Sequence, residues 1–177
     1  MTTGKNINKS LAQIVRYRGI FDIEEVYKAA YDWLRSRGME VQETKFKTYN
    51  RAHGREHQIV WKAWNNETDF IRNWIFITWR FIDIVELEVV KDGKKKKLSK
   101  CQADIRIQHA IDFDYTERFT KTTLQIHALD FIQGWLFRKK IDTLWEDKLR
   151  FKCYELQNVL KETLEAQTKG NEHYDVW

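Results

Sequence analysis

The chain has 177 residues, with 31 Lys and Arg against 26 Asp and Glu for a net charge of +5. That length suits one domain with a sizeable core, and the modest basic excess permits an anionic partner without marking a dedicated binder. The absence of proline removes any rigid linker, and no apolar run approaches the ~18 residues of a membrane-spanning helix.

Residues 1–10 are polar and read as a loose tail, and Leu11, Ile14 and Val15 suggest a short docked turn. The first strong element is a helix from about Ile23 to Arg37. Asp22 and Glu25 form a capping box, and Phe21 can staple against Val26. Ile23, Val26, Tyr27, Ala30, Trp33 and Leu34 fall on one stripe at helical spacing. Gly38 supplies a left-handed stop, with Met39 placed to touch Leu34.

A strand-rich block follows. Met39 to Tyr49 alternates loosely, and a turn is expected around Gly54. Glu56 to Trp64 reads as a strand with Ile59, Trp61 and Ala63 on one face and Val60 and Trp64 on the other. After the turn NNETD, the segment from Phe70 to Val90 is apolar on both faces over FIRNWIFITWRFI. It is too long for one straight strand, so a bulge is expected near Ile82–Ile84. Ile75, Ile77, Trp79 and Phe81 share one side and read as core. Trp64, Trp74 and Phe76 share the other side with Lys62, Arg72 and Arg80.

Asp92-Gly93 is the strongest hairpin signal. The returning strand, about Lys97 to Phe113, puts Cys101, Ala103, Ile105, Ile107, His109, Ile111 and Phe113 on one face. Gln102, Asp104, Arg106, Gln108 and Asp112 lie on a solvated face. From Leu124 the period becomes helical. Leu124, Ala128, Phe131, Ile132, Trp135 and Leu136 form one stripe, and Ile141, Trp145, Leu149, Leu156, Leu160 and Leu164 another. One kinked helix or two helices satisfy this equally, and residues 169–177 read as a frayed tail. The expected fold is α+β: an N-terminal helix, an antiparallel meander of four or more strands, and a helical C-terminal third packing on the sheet. The two helical regions are expected to cover opposite sheet faces, the C-terminal one in part.

No residue pattern points to catalysis. Cys101 and Cys153 are far apart and in no CxxC, so they read as buried thiols of a reducing compartment. Together with an N-terminus lacking a signal-peptide core, this makes a cytoplasmic location the expectation. Asp112 and Asp114 share a face on a straight strand and could approach a hard cation, but His109 points away, and outward carboxylates are normally just solvated. Glu43-Thr44-Lys45 matches half of a nuclease-type site without the acidic partner strand. His53 and His57 flank Gly54 in a turn context, where four-residue spacing makes no ligand pair. No Gly-rich phosphate loop exists, so no metal and no cofactor are expected.

The segment 79–115, WRFIDIVELEVVKDGKKKKLSKCQADIRIQHAIDFDY, resembles a pattern in small uncharacterised archaeal α+β proteins. There a W-R pair leads into an acidic strand, a K-D-G-K hairpin and a long alternating strand ending in D-Y. The resemblance covers a fifth of the chain, supports the hairpin and implies no activity.

Two functions compete. The first is a non-enzymatic protein-interaction or self-assembly module that buries Trp64, Trp74 and Phe76 against a protein partner or a second copy. The second is a nucleic-acid-binding module, ribosome- or RNA-associated. It would use Lys94, Lys95, Lys96, Lys97 and Lys100 of the hairpin with Arg72 and Arg80 of the aromatic face. A lysine run at a hairpin tip also serves simply to solvate it and discourage edge-to-edge pairing.

Overall fold

Period-two alternation organises most of the described residues. In the computed structural model, which describes residues 9–52, 54–91, 94–116 and 145–168, five strands form one antiparallel sheet. They are β1 (Gln13–Phe21), β2 (Glu40–Arg51), β3 (Gly54–Asn66), β4 (Ile71–Lys91) and β5 (Lys94–Phe113), in the spatial order β1-β5-β4-β3-β2. Helix α1 (Ile23–Ser36) links β1 to β2, and helix α2 (Asp147–Thr168) follows the sheet in sequence. The fold is α+β, and β2 to β5 make the expected meander. No described helix is long and apolar enough to cross a membrane.

The chain meets the sheet earlier than expected. Where a docked turn was anticipated, QIVRYRGIF forms β1, paired with β5 from Gln13↔Ile107 to Phe21↔Ser99. Val15 and Phe21 are buried and Tyr17 packs on the core, while Arg16 and Arg18 point the other way. That alternation fits an edge strand with one wet face better than any turn. Because β1 and β2 are the two opposite edges, α1 must cross the whole width of the sheet between them.

Helix α1 starts and stops as its sequence dictates. The Asp22 carboxylate accepts from the backbone N–H groups of Glu24 and Glu25 at 3.0 and 3.3 Å. These are donors that the first turn leaves unpaired. At the other end Gly38, with φ +69°, lets its own N–H reach Arg35 and the Met39 N–H reach Leu34, at 3.0 and 3.1 Å. This is the double bond of a Schellman ending, with Met39 buried beside Leu34.

One sheet face carries the core. Ile59, Trp61, Ile75, Ile77, Trp79, Phe81, Ala103, Ile105 and Ile107 pack against Val26, Ala30, Trp33 and Leu34 of α1. The same cluster takes in Leu149, Cys153, Leu156, Leu160 and Leu164 of α2. Tyr27 sits within it, its ring 4.8 Å from Trp79 and 5.4 Å from Trp61, centroid to centroid. The stripe expected from Leu149 to Leu164 is therefore the buried face of α2. The expectation that the two helical regions cover opposite faces is corrected for α1 and α2: both lie on this side, joined by the Arg37–Glu155 ion pair at 2.6 Å. The physical reason is that β4 and β5 turn their large aliphatic and aromatic residues at odd positions to one side, and the apolar stripes of both helices bury against that side. The stripe from Leu124 to Leu136 and the tail from Lys169 lie outside the described residues.

Both cysteines are buried and unbonded, and burial pushes each thiol up to about 12. Neither is a thiolate near neutral pH, which suits packing and not chemistry.

The long fourth strand bends where its length requires. Its register with β5 shifts between Ile82 and Val85, and Asp83 takes a left-handed φ of +56°. Gly54, at φ +150°, lies against this bulge, and a Cβ there would stand 3.0 Å from the Asp83 backbone. Gly54→Ala is therefore expected to destabilise the fold by about 1–3 kcal/mol. Equilibrium urea unfolding of the variant checks this, and an unchanged midpoint would contradict the close approach.

Candidate nucleic-acid interface

The sheet face turned away from both described helices is built from the even positions of β1, β3 and β5, and of β4 as far as Ile82, where the register shift passes the face to odd positions. The residues of β2 paired with those positions complete it. It carries Arg16 and Arg18 from β1, Lys100 and Arg106 from β5, and Arg72 and Arg80 from β4. Lys62 comes from β3, and Lys45, Lys47 and Arg51 from β2. Its acids are Glu40, Glu56, Asp104 and Asp112. Among the described side chains of these strands, ten basic groups stand against four acidic ones, an excess of six on this face.

Two of the acids organise the arginines. Glu56 is 5% exposed and accepts from Arg80 Nε at 2.7 Å and Arg51 Nε at 3.2 Å. Asp104 is 8% exposed and accepts from Arg106 Nε at 3.1 Å, with Arg16 Nε at 3.6 Å. The register explains the convergence, since Asp104 stands directly between Arg16 of β1 and Arg80 of β4. A strand side expected to be simply solvated thus contains buried carboxylates, because each is roofed by two guanidinium groups. The hydrogen bond from Arg80 holds the Glu56 carboxyl below the usual carboxylate range, against the opposing effect of burial. Around these groups lies an open concavity of about 360 Å³, lined by Tyr49, Arg51, Glu56, Gln58, Thr78, Arg80, Asp104 and Arg106.

The aromatic residues occupy the other end of the same face. Trp64 and Trp74 are half-buried, their ring centroids 5.5 Å apart, and Phe76 stacks on Trp74 at 6.0 Å. Phe76 is only 6% exposed, with the Lys9 ammonium 4.2 Å from its ring centre. The Arg72 guanidinium stands 5.7 Å from Trp74 and 4.1 Å from Tyr115, and its Nε donates to Asn66. These rings are bounded by cations, which draws them toward an anionic partner with flat groups more than toward a dry protein surface.

The hairpin lysines stand apart from this field. Lys97 is exposed and pairs with Glu88 in the ladder, seven positions from Asp104 along β5, or roughly 20 Å. The Lys94, Lys95 and Lys96 side chains and the turn Asp92-Gly93 lie outside the described residues, although the backbone of Lys94 to Lys96 is paired with β4. Lys100 lies between the tip and the arginines.

The remaining candidates separate. Asp114 lies past the end of β5 with φ +51°, fully buried, so it does not continue the alternation that Asp112 follows. The expected shared face is corrected by that left-handed residue. Glu43 accepts from the Trp61 indole N–H at 3.3 Å and lies at a register shift in β2, away from Lys45's row. His57 bonds Thr48, and His53 lies outside the described residues. His109 is buried on the helix side, its Nδ1 3.0 Å from Ser10 Oγ. Among the described residues no group of three His, Cys, Asp or Glu could hold a metal ion. Sequence reasoning missed Arg16, Arg18, Arg51, Arg106 and the carboxylates of Glu56 and Asp104. The R-Y-R alternation in β1 was the available signal.

No protein-family model and no curated protein matches this chain.

Because Glu56 has a depressed folded pKa, its contribution to stability is present above the unfolded value of about 4.3 and is lost as pH falls through the lower folded one. Glu56→Gln should therefore lower the melting temperature at pH 7, and the gap to the parent protein should close as pH falls below about 4. Thermal melts across that range check this; a gap independent of pH would contradict an ionic role.

Proposed function

We propose that this protein binds a single strand of nucleic acid across its basic sheet face, and that it is not an enzyme. The observation that carries the reading is the concentration of charge: among the described side chains this face sets ten basic groups against four acidic ones. Phosphates along a strand would neutralise the arginines and lysines and release counterions. The half-buried Trp64 and Trp74 supply ring surface on which an unpaired base can stack. Lys100, on the same face of β5, extends the positive field toward the hairpin.

Arg18, Lys47 and Lys62 make no ion pair within the described residues, so reversing them disturbs no internal bridge. The triple variant Arg18→Glu, Lys47→Glu, Lys62→Glu should keep its melting temperature. It should also lose affinity for a 20-nucleotide single strand, of RNA or DNA, at low salt. In a plot of log affinity against log salt the slope should shrink by about 2, the share of three phosphate contacts to single strands. Fluorescence anisotropy over a salt series measures both, and a parent protein that binds no strand at low salt ends this reading.

A second reading is self-association, the first function weighed from the aromatic residues. One observation favours it: β2 is an edge strand, exposed along its length, with Phe46 56% exposed. Such an edge can pair with a second copy unless its lysines prevent it. Light scattering during size-exclusion chromatography decides. A dimer disrupted by Phe46→Lys supports pairing at this edge, and a strict monomer at high concentration removes it.

A further inference from the structure

The arginines around Glu56 and Asp104 share a feature that their net charge does not require. Arg51, Arg80 and Arg106 each bond their carboxylate through Nε, and Arg16 approaches Asp104 through the same atom. The Arg51, Arg80 and Arg106 guanidiniums are fixed at their inner nitrogens, and their terminal Nη groups make no hydrogen bond within the described residues. Those three side chains are 44–60% exposed and line the 360 Å³ concavity with carboxylates that are nearly inaccessible. A guanidinium anchored in this way has lost the rotamer freedom it would otherwise lose on binding, and presents a planar pair of donors.

We propose that this concavity seats a phosphate monoester, and that the strand engages the protein by a phosphorylated end. Three lining arginines match the three terminal oxygens of a monoester; an internal diester offers two. With Arg16 included, four guanidiniums over two carboxylates leave a charge of +2. A phosphate monoester carries about −1.5 to −2 at pH 7, whereas each internal phosphate carries only −1. The volume exceeds what a phosphate alone needs and lies within the range of about 300–1,000 Å³ typical of ligand sites. Tyr49, 39% exposed and lining the concavity, adds ring surface for the attached nucleoside. Gln58 and Thr78 add neutral polar groups to the same lining.

This deepens the strand-binding reading, on which only the carrier of the phosphate depends. The experiment has two arms. In the first, strands of one sequence are compared with a 5′-phosphate, a 3′-phosphate or hydroxyls at both ends, the fluorophore always on the opposite end. A phosphate at one end should tighten binding at least about tenfold, the effect of added charge-assisted hydrogen bonds. Arg106→Lys, which keeps the charge beside Asp104 and removes the donor fork, should abolish most of that gain. It should weaken binding of the hydroxyl-ended strand by far less, so that the ratio of the two affinities falls toward one. In the second arm a nucleoside 5′-monophosphate and a nucleoside 3′-monophosphate are titrated while the arginine Nε–H resonances are followed by NMR, with the plain nucleoside as control. Shifts of the Arg51, Arg80 and Arg106 signals with a monophosphate alone support the site. Strands that bind equally well with and without end phosphates overturn the inference and leave the strand-binding reading standing. Strands that fail to bind while a monophosphate shifts the three signals overturn that reading and keep the site. Resonances unmoved by every phosphate overturn the site.

Discussion

Burial of one face of β4 is the constraint on which the other features depend. Ile75, Ile77, Trp79 and Phe81 are almost wholly inaccessible beneath α1 and α2. A side chain of this size contributes about 1.5–3 kcal/mol when fully buried, so four in a row fix which side of the sheet the helices must take. A slip of one residue would exchange that face for the one bearing Arg72, Trp74 and Arg80, and the register is correspondingly single. Once the core side is settled, every residue of opposite parity is committed to the other side, whatever its charge.

That commitment gives the basic face its character. The five strands set their cationic positions on this face side by side at the strand spacing of about 4.8 Å, and unrelieved repulsion would follow. Glu56 and Asp104 relieve it from beneath, each between two arginines. Pairs of this kind add little net stability where the arginine stays in water. Their effect is geometric: they hold long, flexible side chains in one orientation while leaving the face positive.

The sequence made the helix α1, its caps, the meander, the β4 bulge and the inner face legible, because each rests on local chemistry. Asp22, Gly38 and the odd residues of β4 are examples. It did not make β1 legible. Val15, Tyr17 and Phe21 alternate clearly, but the partner that makes them a strand, β5, lies far along the chain, and no local rule points to it. The candidate site was legible only in part. Arg72, Arg80, Trp64, Trp74 and Phe76 were placed together by alternation within adjacent strands. The roles of Arg16, Arg51 and Glu56 depend on which strands become neighbours. The shared side of α1 and α2 was likewise hidden, since helical stripes state that a face is buried without stating against which surface.

The pairing of β1 with β5 also has a consequence in time. Gln13 and Ile107 are partners ninety-four residues apart. During synthesis at about 5–20 residues per second, β1 waits some 5–20 s before its partner strand exists. Closing so long a loop also raises contact order and slows folding. Throughout that interval an apolar, strand-forming segment stands unpaired. Arg16 and Arg18, charged and set within it, are of the kind that discourages a strand from joining the wrong neighbour.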